Sequence, residues 1–168
     1  MIITAYSRDS IENANYRLLK EASVDHILIS ITSQEPVNLK YAKACPYCKD
    51  ILVKIFDDVD NKWLKIYKEK IITDFRIFSE NDTKELLDFV EKRIVNISSI
   101  IVNCDYGVSR SQAVAASLSK ILNDKDDEYF RKYYPNRLVY SKILHEYYIN
   151  EDKYPNMDEY HNKNCVRL

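Results

Sequence analysis

Glycine occurs once in these 168 residues, at position 107. Average usage would place about a dozen glycines in a chain of this length, so the other turns fall to Asn, Asp, Ser and Pro, which tolerate turn geometry for their own reasons. The one position that insists on a backbone without Cβ is therefore informative. It lies between two strong patterns. Ile100 to Cys104 reads as a buried strand, the loop Cys104-Asp105-Tyr106-Gly107-Val108-Ser109-Arg110 follows, and Ser111 to Leu122 reads as an amphipathic helix through Val114, Ala115, Leu118 and Leu122.

The rest of the chain alternates in the same way. Ile2 to Tyr6 is a short strand, and Ser10 is placed to cap a helix carrying Ile11, Ala14, Leu18 and Leu19. His26 to Thr32 and Ile51 to Phe56 are β-rich apolar runs of buried-strand length. Asp82 with Glu85 resembles a capping box ahead of Leu86, Leu87, Val90 and Ile94, and Asn136 is placed to cap a last helix through Leu138, Ile143, Leu144 and Tyr147. With no repeat and no linker-like tract, the pattern predicts one α/β domain over residues 1–168, a central mostly parallel sheet flanked by helices. The tyrosines Tyr129, Tyr133, Tyr134, Tyr147 and Tyr148 are expected to pack the last helices.

Charge narrows the function. Twenty-five basic against 26 acidic residues leave a net charge of −1, which gives no global field for nucleic acid or an anionic membrane. Any anion site must be local. No run approaches the length of a membrane span or a signal peptide, so a cytoplasmic protein is expected. The four cysteines, Cys45, Cys48, Cys104 and Cys165, make no dense disulfide framework.

A strand, a loop holding glycine and a helix start in that order make a cradle for an anion. Successive backbone N–H groups turn inward, the helix dipole adds partial positive charge, and Gly107 admits the anion without a Cβ clash. Cys104 at its base is favoured as the thiolate there, and so as a nucleophile. Arg110, six residues on, can fold back and grip two phosphate oxygens with its planar fork.

The run Asn103-Cys104-Asp105-Tyr106-Gly107-Val108-Ser109-Arg110-Ser111 resembles the signature of the cysteine-based protein tyrosine phosphatases, most closely the dual-specificity type: His, Cys, five residues, Arg, then Ser or Thr. The resemblance implies hydrolysis of a phosphate monoester on a phosphorylated protein or small ester, attack by Cys104, a phosphocysteine intermediate, and no metal or other cofactor. Asp105, Tyr106, Gly107, Val108 and Ser109 would surround the phosphate, and Ser111 would help the thiolate leave. Asn103 stands where the family has histidine; it carries no charge, which points to a weaker thiolate or to a module that binds phosphate without turning it over.

The resemblance also asks for an aspartic acid on the loop after the preceding strand, to protonate the leaving group. Here that strand runs into Asp57-Asp58-Val59-Asp60. Asp58 is the first choice and Asp57 the second, with Asp60 in the same run. The long segment from Asn61 to Arg76 brings in Asp74 as well. Two other readings rest on Cys45-Pro46-Tyr47-Cys48. It has the form of a thiol-redox motif, or the pair joins His161 and Cys165 in a zinc site. Lys62, Lys65, Lys68 and Lys70 read as a solvated basic face.

Overall fold

The computed structural model describes residues 1–34, 37–60, 62, 65 and 75–165. Four strands, β1 (Ile2–Ser7), β2 (His26–Thr32), β3 (Cys48–Ile55) and β4 (Ser99–Cys104), form one sheet in the order β1-β4-β2-β3. Every pairing in it is parallel. The two central strands, β2 and β4, are buried along their whole length, which is why they read as near-continuous apolar runs rather than as alternating ones. The edge strand β3 mixes in Lys49, Asp50 and Lys54 and is half-exposed, a usual guard against edge pairing.

Successive side chains on β2 and β4 point to opposite faces of the sheet. Ile27, Ile29, Ile31, Ile100, Val102 and Cys104 face the larger core. This core is covered by α3 (Glu80–Glu91), α4 (Arg110–Asn123), α6 (Arg137–Ile149) and α7 (Pro155–Asn164). Leu28 and Ile101 face a smaller core built on Ile11 of α1 (Arg8–Glu12), Tyr16 and Ala42 of α2 (Lys40–Lys43). The short α5 (Asp127–Lys132) links α4 to α6.

Local chemistry moves several boundaries from their expected places. Ser10 lies inside α1, whose N-cap is Ser7. The expected longer helix breaks at Asn13, which adopts extended geometry and uses its side chain to accept from Asn15 N–H, so two 3₁₀ turns follow. The capping box of α3 is Ser79 with Asp82, not Asp82 with Glu85. Ser79 Oγ accepts from Asp82 N–H at 3.1 Å while Ser79 N–H donates to Asp82 Oδ2 at 2.9 Å. Glu85 instead pairs with Lys54 of β3. β3 begins at Cys48, three residues before the apolar run.

Helix α7 has few apolar residues to announce it. It is docked by buried Met157 and by Glu91, whose carboxylate accepts from the N–H groups of Asn156 and Met157. Of the five tyrosines expected to pack the last helices, Tyr129 and Tyr147 are buried, whereas Tyr133, Tyr134 and Tyr148 are exposed. Of the lysines at 62, 65, 68 and 70, the last two lie outside the described residues. No helix among the described residues is long and apolar enough to cross a membrane.

Candidate active site

A parallel sheet delivers all its strand ends to one edge, and in open α/β sheets ligand sites form there. Here that edge holds Arg8 after β1, Thr32 and Ser33 at the end of β2, Phe56 to Asp58 after β3, and Cys104 closing β4. The loop from Cys104 then turns into α4 at Arg110. Ser7 and Cys104 are register partners, so the loop starts against the end of β1.

Gly107 makes the turn with φ +75° and packs against that strand. A Cβ there would lie 2.6 Å from Ser7 N and 2.7 Å from the Tyr6 carbonyl carbon, a left-handed and crowded position that only glycine accepts. Gln112 of α4 fixes the turn by donating from Nε2 to Gly107 O at 2.6 Å. The N-cap residue of α4, Ser109, makes no side-chain cap hydrogen bond. Its hydroxyl turns outward to Asp58, so side-chain capping does not compete for the first N–H groups of the helix.

The Cys104 thiol is buried, and its Sγ lies 3.1 Å from the hydroxyl oxygen of Ser111. Arg110 is buried as well, with a side chain 5% exposed. Its Nη1 donates to Ser33 Oγ at 2.8 Å and to Phe56 O at 2.7 Å, and its Nη2 pairs with Asp105 Oδ2. Ends of three strands thus satisfy a charge that would otherwise be costly to bury. Asp105 also pairs with Arg8, which Thr32 Oγ1 anchors at 2.6 Å. Tyr106 and Val108 point outward, Tyr106 with 83% of its surface exposed. Their side chains lie at the rim of the loop.

Of the candidate acids, Asp58 is the one held against the loop. Its Oδ1 accepts from Ser109 Oγ and from Asn136 Nδ2, both at 2.8 Å. Asn136 also caps α6, accepting from Val139 N–H at 3.1 Å, as expected from the sequence. Asp57 is turned to Arg76, whose N–H it accepts at 2.9 Å. Asp60 lies further along the run and accepts from Lys62 N–H at 3.0 Å; Asp74 lies outside the described residues. A cleft of about 540 Å³ opens beside Asp58 and Ser109, lined also by Asp60, Tyr133, Tyr134 and Arg137.

Asn103 is buried on the sheet face opposite Cys104, and neither amide atom has a hydrogen-bond partner among the described residues. Arg8, Thr32, Ser33 and the second role of Asn136 were not legible as site features, because tertiary proximity at the sheet edge, not linear spacing, brings them in; Gln112 acts locally, five positions from Gly107, and carries no motif of its own.

The zinc site suggested by the sequence does not assemble among the described residues. Cys45 and Cys48 lie at the opposite end of the sheet, where Cys45 Sγ approaches Ala22 O. His161 bonds Ile121 O and Cys165 approaches Leu122 O. Among the described residues no group of three metal-ligating side chains forms. Burial pushes the Cys48 thiol up to about 11, the opposite of what a redox thiolate needs.

No protein-family model and no curated protein sequence matches the chain. Solved structures do. The crystal structure of the PTP-2 phosphatase of Cydia pomonella superposes with a TM-score of 0.52 at 16% identity, over 86% of this chain and 85% of that one. A mouse candidate dual-specificity phosphatase complexed with zinc tungstate gives 0.54 at 16% identity, over 92% and 85%. The chain therefore has the α/β fold of the protein tyrosine and dual-specificity phosphatases.

Proposed function

We propose that the protein is a phosphate monoester hydrolase working through a phosphocysteine. The observation that carries this reading is the buried Cys104 thiol, 3.1 Å from Ser111 Oγ, at the foot of a glycine turn that leads into the uncapped start of α4. The fold shared with phosphatases supports it.

The steps follow from the groups present. The phosphoryl oxygens take the loop N–H groups and Arg110, where fixed donors stabilise the charge of the transferring group. Cys104 Sγ attacks phosphorus as the thiolate, the P–O ester bond breaks, and the departing oxygen takes the proton of Asp58. Water then attacks phosphorus, giving its proton back to Asp58. The P–S bond breaks with its electron pair going to Sγ, and the Ser111 hydroxyl stabilises that thiolate by a hydrogen bond. Inorganic phosphate leaves. Ser109 and Asn136 hold Asp58 beside the loop by the same carboxylate oxygen, leaving the other to carry the proton. The exposed Tyr106 and Val108 at the rim, together with the cleft beside Asp58, suit a phosphorylated protein segment as well as a small ester.

A second reading, a module that binds phosphate without turnover, rests on Asn103 standing where the phosphatase signature has histidine. Hydrolysis of p-nitrophenyl phosphate by the purified protein decides between them. The enzyme reading expects turnover that Cys104→Ser abolishes while phosphate still binds. Phosphate binding without turnover in the unaltered protein selects the module.

A further inference from the structure

Asp105 carries two ion pairs at once. One carboxylate oxygen takes Arg110 Nη2 and the other takes Arg8 Nη2. In Arg110, Ser33 and Phe56 occupy Nη1, while Nε is a buried donor with no partner among the described residues. Nε and Nη2 lie on the same side of a guanidinium, and that side is one of those able to grip two oxygens of a phosphate. Asp105 therefore already holds one of the two donors of the edge that Arg110 has left for an anion.

A phosphate dianion taking this edge meets the Asp105 carboxylate beside it. Two anions in a partly desolvated site repel strongly. Arg8 is placed to absorb that conflict. It is anchored by Thr32 Oγ1, its main-chain N–H donates to Asp105 O at 3.3 Å, and its guanidinium grips the carboxylate oxygen that Arg110 does not use. With Arg8 the three side chains carry a net positive charge; without it the charge is zero, and among the described residues Arg110 is the one cation still paired with Asp105.

We propose that Arg8 is a positioning residue of the phosphate site, acting through Asp105: it retains and neutralises the carboxylate when the substrate takes over the Nε–Nη2 edge of Arg110. The inference rests on the phosphatase reading of the cradle. It assigns a role to a residue almost a hundred positions from Cys104, outside the signature loop. It also makes Asp105 an internal competitor of phosphate rather than a ligand to it.

The test is calorimetric titration with inorganic phosphate and with tungstate, which needs no turnover, alongside steady-state kinetics on an aryl phosphate. Arg8→Met should weaken both oxyanions about tenfold or more, as loss of a close, half-buried charge pair implies, and should raise KM more than it lowers kcat. Asp105→Asn should bind them at least as tightly as the unaltered protein. Combining Asp105→Asn with Arg8→Met should restore affinity to near the unaltered value, because the carboxylate that Arg8 controls is gone. Circular dichroism checks the fold. If Arg8→Met is unfolded, Arg8→Gln, which keeps a donor for Thr32 without the charge, takes its place. Equal oxyanion affinity with and without Arg8 overturns the proposal, as does a double variant no better than Arg8→Met. If the unaltered protein binds neither oxyanion, the cradle reading itself fails, a different result from either of these.

Discussion

Replacing Gly107 by alanine asks the protein to accept a methyl group 2.6 Å from Ser7 N, 2.7 Å from the Tyr6 carbonyl carbon and 3.0 Å from Ser7 Cα. The nearest approach is ~0.8 Å inside the 3.4 Å at which ordinary contact begins. All three atoms belong to the backbone of β1, which pairs with β4 from Ile2 to Ser7 and so cannot step aside cheaply. The residue must also keep φ +75°. Left-handed geometry costs a non-glycine residue about 1–2 kcal/mol, and overpacking of this kind about 1–3 kcal/mol. The sum, about 2–5 kcal/mol, is a large part of a typical stability of about 5–15 kcal/mol. At about 2–4 °C per kcal/mol for a chain of this size, the melting temperature should fall by about 4–20 °C. If the loop lifts off β1 instead, part of the stability is recovered, but the N–H groups leave their places around the phosphate. A displacement of about 1 Å costs on the order of 100-fold in rate. Gly107→Ala should therefore lose turnover of an aryl phosphate by about two orders of magnitude or more, with a lower melting temperature by differential scanning fluorimetry. A variant with unchanged melting and unchanged turnover would refute the argument that the turn is fixed against β1.

Two other perturbations test neighbouring parts of the account. Asp58→Asn should flatten the high-pH limb of the rate profile and cost about 10²–10⁴-fold on a poor leaving group, far less on an activated phenol, with phosphate binding intact; loss on Asp57→Asn instead would move the acid by one residue. Lys54→Met removes the buried partner of Asp82, 2.5 Å away, and should cost about 3–5 kcal/mol in chemical denaturation, or somewhat less because Arg76 stands 3.5 Å from the same oxygen. Burial alone would push the Asp82 carboxyl up, but hydrogen bonds from Lys54 and Ser79 outweigh it and hold it below its ordinary 3.8. A carboxyl lowered by folding lends stability above its unfolded value and loses it as pH falls through the folded one. The gap between Lys54→Met and the unaltered protein should therefore be widest near neutral pH and shrink below about pH 4; a gap independent of pH would remove the ion pair from the explanation.

What the sequence made legible follows from how each signal is encoded. β2 was readable from end to end because a central parallel strand is apolar on both faces. The loop from Cys104 to Ser111 was readable because one short stretch holds the strand end, the turn and the helix start, and its glycine is alone in the chain. Asn136 was readable as a cap, since capping is local; its bond to Asp58, 78 positions away, was not. Arg8 escaped for the same reason. It reaches Asp105 only because β1 lies beside β4, and no spacing in the chain encodes that pairing. Helix α7 escaped because Met157 and contacts to Glu91 hold it, with no amphipathic stripe to mark it. The place of the Asn103 side chain, on the sheet face opposite Cys104, follows from strand alternation and is not marked by the signature itself.

The central claim is that the Cys104 sulfur carries the phosphoryl group between two chemical steps. Rapid acid quench during turnover of an aryl phosphate, followed by peptide mass spectrometry, tests it directly. The account predicts one added phosphoryl group on the peptide containing Cys104, accumulating when Asp58→Asn slows hydrolysis of the intermediate on an activated phenol ester, and absent in Cys104→Ser. Turnover with no phosphorylated Cys104 peptide under these conditions, or equal turnover in Cys104→Ser, would contradict it.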